Sequence, residues 1–134
     1  MDKEFSTLSD LILKGDLSGI RKALESGADP NCCLGDGYSV LHAAASMDEP
    51  RIIRLLIARG GNPSAKDAKG ESPLHVASRE GARRAVSTLI SLGCNMDARN
   101  VEGLTALHIA RNEKNETIAG MLANKSGMAA GVWA

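Results

Sequence analysis

The stretch GESPLHVASREGARRAVSTLISLGCN, Gly70 to Asn95, decides the fold, because it holds start and stop signals for two short helices. Gly70 can adopt the positive φ of a tight turn. Ser72 can cap the free N–H groups of a helix, and Pro73 suits the first helical position, where its missing N–H had no partner to lose. From Ser72 a helix carrying Leu74, Val76, Ala77 and Ser78 is predicted to run to Gly81. A second helix, with Val86, Leu89 and Ile90 at helical spacing, is predicted to stop at Gly93. The unit is therefore a turn followed by two antiparallel helices.

The same pattern recurs 33 residues away in both directions. Turn glycines stand at Gly37, Gly70 and Gly103, and Leu-His pairs at Leu41-His42, Leu74-His75 and Leu107-His108. The glycines that stop second helices are Gly27, Gly60 and Gly93. Two motifs carry a family likeness, Gly70-Glu71-Ser72-Pro73-Leu74-His75 at the turn and helix start, and Gly27-Ala28-Asp29-Pro30-Asn31 at the helix stop. With these the chain resembles the ankyrin repeat, over nearly its whole length. The resemblance implies an all-α repeat fold, an ankyrin-like solenoid of about four helix-turn-helix repeats joined by β-hairpin-like turns.

A single domain over residues 1–134 is expected: an N-terminal capping repeat at 1–33, repeats at 34–66 and 67–99, a C-terminal capping repeat at 100–126, and a tail at 127–134. In the first repeat Ser6 is the expected N-cap, ahead of an apolar stripe of Leu8, Leu11 and Ile12. Its Leu8-Ser9 replaces Leu-His, and polar neighbours suit a repeat with one face in water. In the second repeat Ser39 starts a helix with Leu41, Ala44 and Ala45 inward. Pro50 then falls in the first turn of the most apolar helix, whose Ile52, Ile53, Leu55, Leu56 and Ile57 are the expected core anchors. The last repeat weakens, with Ser126 where earlier helices end in glycine. The small, apolar tail holds the only tryptophan, Trp133, and either folds back on the last repeat or stays exposed.

Composition narrows the function classes. Sixteen basic and sixteen acidic side chains cancel, and both signs are spread evenly along the chain. The basic footprint of a nucleic-acid binder or a polybasic membrane surface is absent. No stretch approaches the roughly 18 apolar residues of a membrane span, and the first residues lack a signal-peptide pattern. Aromatic residues make up 2% of the chain, which a thin helical stack tolerates because Ala, Leu, Ile and Val can fill it. Three cysteines, Cys32, Cys33 and Cys94, lack metal-ligand spacing and suit a reducing compartment. A cytoplasmic location and a monomeric state are expected.

The three histidines do not form a shared metal site. Helices of neighbouring repeats pack about 8–10 Å apart, whereas ligands of one zinc each lie about 2 Å from it. The family resemblance implies instead that each imidazole ties the turn of one repeat to its neighbour. Cys32 and Cys33 read as packing residues, Cys94 occupies the small-residue slot of Ala28, and Arg83-Arg84 reads as a solvated helix face. No phosphate loop, nucleophile elbow or carboxylate-rich metal motif occurs. No catalytic residue, cofactor or metal is assigned, and a non-enzymatic module binding another protein is the expected function.

By the resemblance, partners are met by turn tips and by the concave face of the first helices. The matching tips are Gly35, Asp36 and Tyr38, then Ala68, Lys69 and Glu71, then Val101, Glu102 and Leu104. The next tier is Ser46 and Met47, Arg79 and Glu80, and Asn112 and Glu113, with Lys66 and Arg99 leading into the turns. The candidate contact set is Asp36, Tyr38, Met47, Lys69, Glu71, Arg79, Glu80, Glu102, Leu104 and Asn112. Tyr38, Met47 and Leu104 are the expected exposed anchors, ringed by a mixed-charge rim. Narrower is an inhibitor or immunity-type protein that blocks a partner enzyme. A thiol-dependent enzyme using Cys32, Cys33 or a histidine, and one domain of a longer protein, are the remaining alternatives.

Overall fold

The computed structural model describes the backbone of residues 2–125 and the side chains of residues 6–124. Among these residues eight α-helices follow one another in four pairs: α1 (Asp2–Lys14) with α2 (Leu17–Glu25), α3 (Val40–Ser46) with α4 (Pro50–Ala58), α5 (Pro73–Glu80) with α6 (Arg83–Ser91), and α7 (Ala106–Asn112) with α8 (Glu116–Lys125). First helices pack on first helices along the stack, and second on second. The chain is an all-α repeat. The expectations for Ser126 and for the tail fall outside the described residues.

Caps explain most helix starts. Ser39, Ser72 and Thr105 each precede a first helix, and each side-chain oxygen accepts the backbone N–H of the histidine three residues on. Each imidazole reciprocates by accepting the backbone N–H of the cap residue. Histidine thus fills the glutamate's place in a capping box. Pro50 and Pro73 stand in the first turns of α4 and α5, as their missing N–H requires. One start differs from the sequence reading: α1 begins at Asp2, so Ser6 lies inside it, exposed to solvent. No Gly or Pro between Asp2 and Ser6 interrupts the helix.

The core is aliphatic and continuous from α1 to α8. Leu8, Ile20, Ile53, Leu56, Leu89 and Ile118 are fully buried, each such side chain stabilising the fold by about 1.5–3 kcal/mol. Ile52 joins them, while Leu55 and Ile57 are only partly covered. Alanines at 44, 45, 77, 85 and 110 let neighbouring helices approach.

The turns stack on one another. Each is closed by a backbone bond across it, Leu34 N–H to the Tyr38 carbonyl, Asp67 to Glu71 and Asn100 to Leu104, all at 3.0 Å. Successive turns join through single bonds from Ala68 N–H to the Asp36 carbonyl and from Val101 N–H to the Lys69 carbonyl. No strand forms among the described residues; one isolated antiparallel bridge links Cys33 and Ser39. Gly37 and Gly70 are required twice over. Both have positive φ, and a Cβ on either would sit 3.1 Å from backbone atoms of the next turn.

Candidate functional site

The turn tips and the ends of the first helices form a groove of about 600 Å³ between the second and third helix pairs. Asp36 and Tyr38 come from one turn, Asp67, Ala68 and Lys69 from the next. Ser46 and Met47 end α3, and Val76, Arg79 and Glu80 belong to α5. Seven of the ten sequence-derived candidates, Asp36, Tyr38, Met47, Lys69, Glu71, Arg79 and Glu80, are brought together here. Glu102, Leu104 and Asn112 do not line this groove, and Glu71 lines it from a buried position.

The histidines organise this face. In His42, Nδ1 accepts the Ser39 N–H at 3.0 Å, so Nε2 carries the proton and donates to the Glu71 carbonyl at 2.7 Å. His75 repeats the arrangement on Ser72 and on the Leu104 carbonyl, at 3.0 and 2.9 Å. Each ring therefore fastens its own cap to the turn of the next repeat. Burial holds both imidazoles below their ordinary value of 6.5, against the raising influence of the accepting carbonyl and nearby carboxylates. His108 binds its own cap, Thr105, but is exposed.

Tyr38, Glu71 and Leu104 occupy one position 33 residues apart, with three different outcomes. Tyr38 is half-buried and stacks on His42 with ring centroids 5.2 Å apart. Leu104 is half-buried. Neither stands free in water as the sequence suggested; Met47, 42% exposed, does.

Glu71 departs furthest from expectation. It is 5% exposed, and both its oxygens accept from the Arg79 guanidinium at 2.6 Å, with Asn100 Nδ2 adding a bond at 3.1 Å. These donors, Arg79 first, hold its carboxyl below the usual 4.5 despite burial. Glu71 is thus a strut between turns, not a member of an exposed rim. The fork pairing of Arg79 joins the turn to the end of α5 across eight residues, which no short-range spacing reveals. With the pair mutually neutralised, the lining charges left are the carboxylates of Asp36, Asp67 and Glu80 and the ammonium of Lys69. Val101, a turn-tip residue outside the candidate contact set, is 74% exposed. The signal was available: Gly35 and Ala68 hold the same position, so a large apolar residue there is unusual.

Thiol chemistry finds no support in the geometry of Cys94, whose buried thiol is pushed up to about 11 and so stays protonated near neutrality. Cys32 is also buried, and Cys33 half-buried. Among the described residues no group of three or more His, Cys, Asp or Glu is placed to hold a metal ion, and no helix is long and apolar enough to cross a membrane.

Stacked helix pairs, with turns latched by histidine, define an all-α solenoid of helical repeats. The family model for ankyrin repeats, in three copies, matches residues 8–100 and again 60–131, and the chain belongs to that family. Ankyrin repeats are generally protein–protein interaction modules and typically non-enzymatic. A search of curated proteins returns no match.

Proposed function

We propose that the protein is a rigid, non-enzymatic binding module that receives a partner protein on its turn tips and first helices. One observation carries this reading: the groove of about 600 Å³ draws its lining from two turns and two first helices, with Met47 exposed and Tyr38 partly so. Met47 stands outside the core and Tyr38 packs only at its edge, and aromatic and Met residues are common interface anchors. The terminal helix pairs act as caps, and the thiols of Cys33 and Cys94 suit a cytoplasmic setting.

The test is a pull-down from the native cytosol with the wild-type chain, the Tyr38→Ser/Met47→Ser variant and Leu104→Ser in parallel. A stoichiometric partner should be lost with the double variant, since a buried hot-spot side chain is worth about 2 kcal/mol or more. Thermal melts confirm that the double variant is folded. Undiminished capture by that folded variant overturns the groove as the binding surface.

A further inference from the structure

We propose that the groove takes a protein segment presenting a basic side chain, lysine or arginine, flanked by apolar residues. This rests on the protein-binding reading above and narrows it to the chemistry of the occupant.

Charge complementarity carries the choice. Three lining carboxylates, Asp36, Asp67 and Glu80, enter no ion pair among the described residues. Glu71 and Arg79 cancel each other, which leaves Lys69 as the one lining cation not already paired among the described residues. The imbalance is local, because the whole chain carries sixteen charges of each sign. Asp36 gives one oxygen to the Tyr38 N–H, and Asp67 gives one to the N–H groups of Lys69 and Glu71. Each retains a second oxygen for a partner.

The negative field converges on the apolar part of the groove. Burial raises the pKa of the Tyr38 hydroxyl, and Glu80, Asp67 and Asp36 raise it further, while a bond with Ser46 lowers it. A cation beside that ring meets attraction from all three carboxylates. Its methylene stem can lie along Tyr38 and Met47, as long basic side chains do on apolar surface. An acidic segment or a polyphosphate backbone meets repulsion from the same groups.

The experiment selects a random 12-residue displayed-peptide library on the folded wild-type protein and keeps sequences that fail to bind Tyr38→Ser/Met47→Ser. Those sequences should be enriched in Lys or Arg next to apolar residues. Their affinity should fall about tenfold in Asp36→Asn/Glu80→Gln, as the loss of two partly exposed charge pairs implies. The change at position 36 preserves an oxygen for the Tyr38 N–H, so the turn is kept. Groove-dependent sequences without basic residues, or undiminished affinity in the Asn/Gln variant, overturn the basic occupant while the groove reading stands. A selection with no sequence dependent on Tyr38 and Met47 overturns both.

Discussion

Residues 15, 48, 81 and 114 share one position, where the chain turns from a first helix into a second with positive φ: Gly15 at 68°, Asp48 at 54°, Gly81 at 72° and Lys114 at 59°. The sequence marks this turn clearly only where glycine stands. Asp48 and Lys114 are legible only by counting 33 residues from a glycine, since lysine disfavours the conformation and aspartate, though tolerated in it, does not mark it. Asp48 has a compensating task. The start of α6 lacks a side-chain cap at Ala82, and Asp48 supplies one from the preceding repeat by accepting the Ala85 N–H at 2.8 Å. It also pairs with Arg84 at 3.6 Å. Lys114→Gly should therefore raise stability by about 1 kcal/mol through relief of backbone strain. Asp48→Gly should give no gain, because the cap is lost with the strain. Urea unfolding of both variants measures the contrast. Glu71 shows the opposite limit of legibility: its charge was visible in the sequence, its guanidinium partner only in the fold.

Among elements, helices were easier to read than turns. Their starts depend on local signals, Ser39, Ser72, Thr105, Pro50 and Pro73, that act within a few residues. The stacking of turns depends on what lies across from each glycine. A Cβ on Gly70 would sit 3.1 Å from the backbone of Asn100 and Val101, whereas one on Gly103 would meet nothing within 4 Å among the described residues. Both have positive φ, so alanine at either should cost about 1 kcal/mol in strain. Gly70→Ala should cost distinctly more, because it also forces two turns apart. Equal losses in denaturant midpoint would show that the turns yield easily. The second helices give a cruder check, for Leu56 is fully buried in α4. Leu56→Ala should lower stability by about 2–5 kcal/mol, measurable in the same melts.

Over the whole molecule, stability should depend on pH in two windows. His42 and His75 are held below 6.5 in the fold. Above pH 6.5 both states are neutral at these rings and the latches contribute in full. As pH falls below 6.5 the unfolded chain binds protons that the folded rings resist, so stability declines until the folded rings also titrate. A protonated Nδ1 could no longer accept the cap N–H. Glu71 acts lower: its contribution is complete above 4.5 and is lost as pH falls through its depressed folded value. Urea midpoints from pH 7.5 to 3 should fall in both windows, and His75→Gln should flatten the upper one. The repeat architecture was readable from a 33-residue period. Which of the groove's carboxylates stay unpaired was not, because it requires knowing that Arg79 is consumed by Glu71.

The histidine latches also impose an arithmetic on any change in chain length. His42 reaches the Glu71 carbonyl and His75 the Leu104 carbonyl, in each case 29 residues onward. Removing residues 67–99 brings Leu104 into the register that Glu71 held, so the shortened chain can still close its latch. Removing one residue from the turn before Glu71 shifts the carbonyl away from the imidazole and displaces every later repeat. Length is thus quantised, with whole units interchangeable and fractions forbidden. The 33-residue deletion should fold cooperatively in a urea melt, whereas the single-residue deletion should lose that transition.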